Sequence, residues 1–438
     1  MEPVITIIGG GLAGSEAAWQ AAQAGAKVRL CEMRPVVKTP VHQTGNFAEL
    51  VCSNSLKSNQ ITNAAGLLKE EMRRLGSIII DAADTANVPA GDALAVDRNL
   101  FAAEITSRLE NHPNIEIFRG EVDSIDESRP HIIATGPLTS DKLAADVIRL
   151  TGQSQLSFFD AVAPTIDAST INRDIAFAAS RYSQGDDAYL NCPFSRDEYE
   201  AFYDALLKAE LAPLHDHEAN VPYFEGCLPI EVLASRGPKT LSFGPMKPVG
   251  LVDPRTGRRP WACLQLRQEN RAATLYSMVG FQTRMKWGEQ KRIFQMIPGL
   301  ENAEFVRYGV IHRNTYIQSP KVLNDHLQMT AYPNVFFAGQ ITGVEGYVES
   351  AATGILAGRN AARLVHGQPL LSLPNTTMLG ALVDYVAHYD GKDFQPMNSN
   401  WGIVPPLPDR IRDKKEKAGI LAQRGLEALS SVPGLQLR

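Results

Sequence analysis

The stretch that decides the fold is Val4-Ile5-Thr6-Ile7-Ile8-Gly9-Gly10-Gly11-Leu12-Ala13-Gly14, near the start of the chain. Its first part consists of β-branched residues only, which is typical of a buried strand in a parallel sheet. The part that follows fits the glycine pattern GxGxxG. An alanine-rich run over 15–24 then predicts a helix, and a second strand is predicted over 26–31. Strand, glycine loop, helix and strand in this order predict a Rossmann-like α/β domain that binds a dinucleotide.

The glycines of the loop each meet a mechanical need of such a site. The first permits a tight turn, the second lets the backbone approach a pyrophosphate, and the third lets the helix pack closely on the strand. The helix N-terminus offers free N–H groups and a partial positive charge to the phosphates. An acid at the end of the second strand is placed to accept hydrogen bonds from the adenosine ribose. The predicted cofactor contacts are therefore Gly9, Gly10, Gly11, Leu12, Ala13, Gly14 and Glu32.

Two later segments favour FAD over NAD as the dinucleotide. The run 131–136 is a strand that ends in Ala-Thr-Gly, a feature that resembles two-dinucleotide-binding flavoproteins. The run 334–340 is a strand that ends at a glycine, and a helix of small residues is predicted over 347–366. A NAD dehydrogenase does not need this return to the first domain, whereas FAD proteins of this class do. The return segments add Gly136, Gly339 and Gln340 to the predicted cofactor contacts.

The middle of the chain predicts a separate structural unit. A helix rich in acidic and aromatic residues is expected over 196–211, and strand-like runs follow at 261–266 and 273–279. We therefore expect an α+β insertion domain that interrupts the Rossmann-like FAD-binding domain. The predicted divisions are 1–182 and 296–438 for the two parts of the FAD-binding domain and 183–295 for the insertion.

Composition limits the class of protein. The chain has 438 residues, of which 44% are hydrophobic and 21% charged, as in an ordinary soluble globular protein. No apolar run approaches the ~18–20 residues that cross a bilayer. The five cysteines show no CxxC spacing, which fits a reducing cytoplasm and argues against zinc and disulfides. We therefore expect a cytoplasmic protein that binds no metal and no membrane.

Charge is distributed unevenly along the chain. The net charge is −5, but the segment 236–321 holds 15 Lys and Arg against 5 Asp and Glu, which is +10. The remainder holds 28 against 43, which is −15. One basic segment on an acidic body is what a polyanionic partner requires; the alternative is a solvated face that neutralises the rest. Candidates for phosphate contacts, or else ordinary surface cations, are Arg284, Lys286, Lys291 and Arg292.

Several segments resemble the folate- and FAD-dependent tRNA uracil-5-methyltransferases. One is the glycine loop with the run 15–19 behind it. The others are 45–57, 223–231, 244–250 and 339–347. The runs that contain Cys52 and Cys227 are the specific part, because general flavoproteins lack them. The resemblance extends from Val4 to about Pro408.

The resemblance implies an activity. Members of this family convert a T-loop uridine of tRNA to 5-methyluridine, take the carbon from methylenetetrahydrofolate, and reduce the flavin with NADH or NADPH. The T-arm of tRNA would then contact the basic segment 236–321. The motifs leave open a paralogue that methylates ribosomal RNA. A small-molecule flavin oxidoreductase would need neither the basic segment nor a second cysteine, and a non-catalytic flavin-dependent RNA-binding module would leave both thiols idle.

Two thiols and a tyrosine are the candidate catalytic residues. A thiolate that adds to carbon 6 of uracil makes carbon 5 nucleophilic, and reduced flavin can supply both the methylene and the hydride. Cys227, just upstream of the basic stretch, is predicted to attack the ring. Cys52 is predicted to lie against the flavin and to protect or trap the methylene, and Tyr347 to stack or hydrogen-bond there. The alternative is that the thiols are small buried hydrophobes and Tyr347 an ordinary helix-start residue.

Overall fold

A computed structural model describes residues 3–39, 41–153, 156–161, 163–181, 187–213, 223 and 228–438, with the backbone alone at 156–161 and 311–313. Its strands are β1 (Val4–Ile8), β2 (Lys27–Glu32), β3 (Ser55–Ser58), β4 (Asn87–Val88), β5 (Ala93–Val96), β6 (Ile115–Arg119), β7 (His131–Ile133), β8 (Leu156–Ala161), β9 (Thr165–Asp167), β10 (Phe177–Ala178), β11 (Tyr189–Phe194), β12 (Ala262–Gln268), β13 (Leu275–Met278), β14 (Phe305–Arg307), β15 (Ile311–Tyr316) and β16 (Val335–Phe337).

The helices lie among these strands and after the last of them. They are α1 (Leu12–Gln23), α2 (Ala64–Arg74), α3 (Ile78–Thr85), α4 (Arg98–Glu110), α5 (Asp141–Thr151), α6 (Arg196–Leu207), α7 (Ile230–Ser235), α8 (Thr240–Phe243), α9 (Trp287–Phe294), α10 (Tyr347–Val365), α11 (Met378–His388) and α12 (Lys414–Ser430). None of these helices combines the length and the apolar character that a membrane crossing requires.

A parallel sheet forms the first half of the architecture, in the order β16-β7-β1-β2-β6. Ile8 in the central strand pairs with Cys31 on one side and with Ile133 on the other. Because the carboxyl ends of parallel strands meet at one edge, the loops after β1, β7 and β16 lie together there. The predicted Rossmann-like α/β class is confirmed by this sheet, and the predicted return of the chain is β16 beside β7.

The close packing of α10 on α1 explains the small residues in the helix predicted over 347–366. A Cβ added at Gly354 would lie 2.3 Å from the carbonyl oxygen of Ala13, and one added at Gly358 would lie 2.4 Å from that of Ala17. Larger side chains at these places would push the helices apart. The two helices therefore hold the glycine loop and the C-terminal return segment in one rigid unit.

A six-stranded antiparallel sheet forms the second half, in the order β10-β11-β12-β13-β9-β14. Helices α6, α7 and α9 contribute apolar residues to its core. Three of its strands, β9, β10 and β14, lie outside the predicted insertion 183–295. They have two or three residues each, too short to give a periodic signal in the sequence. The division of the chain into domains stays a prediction, and this sheet favours wider limits for the second unit.

Sequence periodicity located the long elements better than their ends. The first helix begins at Leu12 rather than 15, because Gly11 itself is the N-cap residue. The helix expected over 196–211 ends at Leu207. The helices that were not predicted at all are α3, α5, α7, α8, α9 and α11. Helix α12, the tail helix, begins at Lys414. Asp413 is its N-cap residue, and the Asp413 side chain accepts a hydrogen bond from the amide of Glu416.

Candidate active site at the dinucleotide cleft

The glycine loop forms the floor of a cleft at the carboxyl edge of the parallel sheet. Gly9 has a φ of 105°, and a Cβ there would lie 2.5 Å from the carbonyl oxygen of Ala134. A Cβ on Gly14 would lie 1.8 Å from the carbonyl oxygen of Gly9, so the start of α1 packs directly on the turn. At Gly11, by contrast, a Cβ would meet no atom of the described residues within 4 Å. The loop is therefore closed toward the sheet and open at its middle glycine.

The open side of the loop fits a pyrophosphate. No side chain caps the N-terminus of α1, so its first amides remain available for an anion. Thr135, Thr139 and Ser140 line the same cleft and add hydroxyl groups. Such a pocket at a helix N-terminus satisfies the requirements of the dinucleotide that the sequence predicts.

Most of the predicted cofactor residues lie together. Those that line the cleft are Gly9, Gly11, Leu12, Ala13, Glu32, Gly136, Gly339 and Gln340, with Tyr347 at its edge. Gly10 and Gly14 face the protein instead: a Cβ on Gly10 would lie 2.4 Å from the Phe47 ring. Among the described residues, no group of His, Cys, Asp and Glu is placed to hold a metal ion.

Glu32 is held by protein groups at both of its oxygens. Oε2 accepts hydrogen bonds from the Gly10 amide at 2.8 Å and from Arg34 Nη2 at 3.2 Å. Oε1 accepts from the amide and the Nε of Arg34, each at 2.9 Å. Burial opposes ionisation, but the hydrogen bonds and charge of Arg34 outweigh it and lower the pKa of Glu32. The predicted contact with a ribose stays a prediction, and it requires that one of these hydrogen bonds be exchanged.

The Cys52 segment joins the cleft through Tyr347, the first residue of α10. The phenol oxygen of Tyr347 accepts hydrogen bonds from the amide of Cys52 at 2.7 Å and from that of Ser53 at 3.3 Å. Burial is the main influence on the phenol and raises the pKa of Tyr347 far above its usual value. The phenol therefore stays protonated, and its own hydrogen is available for a further acceptor.

A cluster of arginines holds the same segment from the other side. Arg98 donates to the carbonyl oxygens of Leu50 at 2.7 Å and Cys52 at 3.1 Å. Two more guanidinium groups come from the second sheet: Arg307 donates to the Val51 carbonyl at 3.2 Å, and Arg267 to the Ser53 hydroxyl at 2.7 Å. The segment that carries Cys52 is thus fixed between the two halves of the molecule.

Glu269 is the carboxylate of this arginine cluster. Its Oε1 lies 2.7 Å from Arg98 Nη2 and 3.7 Å from Arg307 Nη2. Burial opposes its ionisation, yet Arg98 and Arg307 hold the pKa of Glu269 below its usual value. Three guanidinium groups against one carboxylate leave the surroundings of Cys52 cationic. These residues could not be predicted from the sequence, because they come from segments far apart in the chain.

A second ion pair supports the entrance of α10. Lys57 Nζ lies 2.7 Å from Oε1 of Glu349, whose side chain is fully buried. The amide and hydroxyl of Ser399 donate to the same oxygen at 2.9 and 2.5 Å. A Cβ on Gly346 would lie 2.2 Å from Glu349 Oε2, so only glycine fits at that position. The loop before Tyr347 is therefore built around a buried carboxylate.

Cys227 lies outside the described residues, so its predicted role is untested. Beyond it, Glu231 accepts hydrogen bonds from the Arg284 amide at 2.7 Å and the Thr283 hydroxyl at 2.8 Å. This ties the start of α7 to the basic segment. Two other cysteines, Cys192 and Cys263, are fully buried in the second sheet, as expected for small hydrophobes.

Comparisons with known proteins agree with this architecture. The model of the family "Glucose inhibited division protein A" matches residues 4–369. A solved structure of GidA from Aquifex aeolicus superposes with a TM-score of 0.68 at 17% identity and covers 98% of this chain and 73% of that chain. At this identity the likeness shows the fold alone.

Much closer relatives carry the name methylenetetrahydrofolate--tRNA-(uracil-5-)-methyltransferase TrmFO. The protein of Brevibacillus brevis is 58% identical over 430 residues, which is 98% of each chain. That of Pelotomaculum thermopropionicum is 59% identical over 425 residues, which is 97% of each chain. The resemblance found in the sequence is thereby confirmed. The chain belongs to the glucose inhibited division protein A family and, within it, to the TrmFO methylenetetrahydrofolate--tRNA-(uracil-5-)-methyltransferases.

Proposed function

We propose that this protein methylates carbon 5 of a T-loop uridine in tRNA, with methylenetetrahydrofolate as carbon donor, FAD as cofactor and NADH or NADPH as reductant. The observation that carries the proposal is the identity of 58–59% over almost the whole of both chains to relatives named for this reaction. The cleft and the cationic Cys52 segment beside it supply groups that suit the chemistry.

FAD, when bound, supplies both the carbon-transfer and the hydride-transfer chemistry. The open glycine Gly11 and the uncapped start of α1 would hold its pyrophosphate. Gly136, Gly339 and Gln340 would face the cofactor from the loops after β7 and β16. Tyr347 would stand between the cofactor and the Cys52 segment, because it lines the cleft and binds the amide of Cys52.

Cys227 is our proposed nucleophile. Its thiolate adds to carbon 6 of the uracil, and the electron pair moves to carbon 5, which attacks the one-carbon electrophile. Loss of the proton from carbon 5 then breaks the bond between the methylene and its carrier and leaves an exocyclic methylene on the ring. A hydride, drawn from NADH or NADPH, adds to this methylene, and the electron pair that returns to the ring expels the thiolate and leaves a methyl group on carbon 5. Support for this role comes from the resemblance of the run 223–231 and from the connection of α7 to the basic segment through Glu231.

Cys52 is proposed to act beside the cofactor. The arginine cluster and the hydrogen bond from its amide to Tyr347 hold it next to the cleft in cationic surroundings. A thiolate there can protect or trap the methylene before the uracil arrives. The two thiols would then serve opposite partners of one reaction, the carbon donor and the carbon acceptor.

The proposal is tested with purified FAD-containing protein, unmodified tRNA transcript, labelled methylenetetrahydrofolate and NADPH. We expect label in 5-methyluridine of the T-loop. A transcript with that uridine replaced by cytidine is the matched control and should take up none. A ribosomal RNA transcript under the same conditions should also remain unlabelled.

Two other results of this assay would contradict or change the proposal. No transfer to tRNA, with normal reduction of the flavin by NADPH, would contradict the proposal and favour a small-molecule oxidoreductase. Label in ribosomal RNA but not in tRNA would mean that ribosomal RNA is the substrate of the same reaction. Comparison of NADH with NADPH in the same assay identifies the reductant.

A further inference from the structure

A column of aromatic rings runs from the core of the second sheet to its surface. Phe294 is fully buried, and Phe305 tilts against it at 6.2 Å between ring centroids. Tyr308 stacks on Phe305 at 5.4 Å, and Trp287 stacks on Tyr308 at 5.6 Å with only 13° between the ring planes. Trp287 at the outer end is 63% exposed. The column thus presents a flat indole to solvent on a rigid support.

The support of Trp287 is connected to the candidate active site. Arg307 lies between Phe305 and Tyr308 in the chain, and it donates to the Val51 carbonyl in the Cys52 segment. Gln290 of α9 exchanges two hydrogen bonds with the backbone of Gly309, at 2.9 and 2.8 Å. These bonds fix the helix that begins at Trp287 to the strand end that touches the Cys52 segment.

The surroundings of the indole are basic. Exposed cations precede and follow it at Lys286, Lys291 and Arg292. Two carboxylates offset part of this charge, since Lys286 pairs with Glu210 and Arg292 with Glu289, each at 2.7 Å. The whole segment 236–321 still carries +10. An aromatic face among cations suits a nucleic acid better than an apolar protein surface.

We infer that Trp287 is a stacking platform for an unpaired base of the RNA substrate, adjacent to the uridine that is withdrawn from its stack. This inference rests on the proposed function. A base that undergoes chemistry must leave its stack, and its neighbour then loses a stacking partner. The exposed face of Trp287 replaces that partner, and the nearby cations bind the flanking phosphates. Since every base has a π-face, the contact tolerates any base.

The inference is tested by measuring the Kd of unmodified tRNA for the full-length FAD-containing protein and its variants. Trp287→Ala should weaken binding by about tenfold or more, and Trp287→Phe by less, because phenylalanine keeps a smaller aromatic face. Trp261→Ala is the matched control: that indole is 46% exposed, but the Arg196 guanidinium already lies over it at 5.3 Å. Its Kd should be unchanged.

Salt dependence separates stacking from charge. Stacking releases no counterions, so the slope of log Kd against log salt should be the same in Trp287→Ala as in the parent protein. A Kd unchanged in Trp287→Ala, in a parent that methylates tRNA, would overturn the inference and leave the proposed function intact. The inference would also be overturned if Trp287→Ala kept its Kd for tRNA and lost only self-association, measured by light scattering. A parent that neither binds nor methylates tRNA would refute the proposed function itself.

Discussion

Cys227 and Cys52 are the residues on which the proposed chemistry depends. Cys227→Ala should abolish transfer of label to tRNA while the protein retains its yellow flavin and its reduction by NADPH. Cys52→Ala should also lose transfer, because the carbon is no longer held beside the cofactor. Full activity in either variant would refute the role of that thiol. Cys192→Ala is the control, since its thiol is buried in the second sheet, and it should remain active.

We expect turnover to depend on the phenol oxygen of Tyr347. Tyr347→Phe removes the acceptor of the part-buried Cys52 and Ser53 amides, and the loss of a hydrogen-bond partner costs about 1–3 kcal/mol for a buried amide and less for a part-buried one. The segment should shift, and kcat should fall by about ten- to a hundredfold with little change in the KM for tRNA. Tyr385→Phe removes a phenol that binds only the Gln395 carbonyl among its described hydrogen bonds. Its kcat should equal that of the parent, and an equal fall in both variants would contradict the prediction.

At the scale of elements, we expect the contact between α2 and α11 to depend on pH. Glu71 is fully buried and accepts hydrogen bonds from the amides of Met378 at 2.7 Å and Leu379 at 2.9 Å, at the N-terminus of α11. Burial outweighs these bonds and raises the pKa of Glu71 to about 7. The folded protein therefore binds a proton more tightly than the unfolded chain, whose glutamate has a pKa of about 4.3.

The free energy of unfolding should reflect this carboxyl group. Its contribution is fully present below about pH 4.3 and is lost as the pH rises toward 7. In Glu71→Gln the side chain still offers a hydrogen-bond acceptor but does not ionise. The free energy of unfolding in urea should therefore fall less between pH 5 and 7 in this variant than in the parent. Glu70→Gln, on the exposed side of the same helix, should follow the parent. Identical pH profiles for parent and Glu71→Gln would count against a raised pKa.

The elements also show what a sequence can and cannot predict. The strand, loop and helix around Gly9 were predictable because each signal is local and the backbone itself requires glycine. The cluster of Arg98, Arg267, Arg307 and Glu269 was not, since those charges meet only when two sheets pack together. Short strands such as β9 could not be predicted, because three residues are too few to show the alternation of apolar and polar residues in a strand.

At the scale of the whole molecule, the uneven charge predicts strong salt dependence of tRNA binding. Each phosphate neutralised by a cation adds about 0.7–0.9 to the slope of log Kd against log salt. Replacing both Lys291 and Arg292 by Gln should make the slope shallower by about one to two. The same loss of charge at Lys414 and Lys415, on the tail helix outside the basic segment, should leave it unchanged. A parent slope near zero would exclude the basic segment as the RNA contact.

The pairing of β16 with β7 has a consequence for biosynthesis. Val335 lies beside His131, so the last strand of the parallel sheet is supplied some two hundred residues after its neighbour. While the chain emerges from the ribosome, the segment that carries Gly339 and Tyr347 has not yet been made. The parallel sheet still lacks β16, so the edge of β7 is unpaired. We therefore expect the flavin to be captured late, once the chain has been made as far as Tyr347 of its 438 residues. Yellow colour in a preparation should then report chains that extend beyond Tyr347, since chains terminated earlier lack this segment.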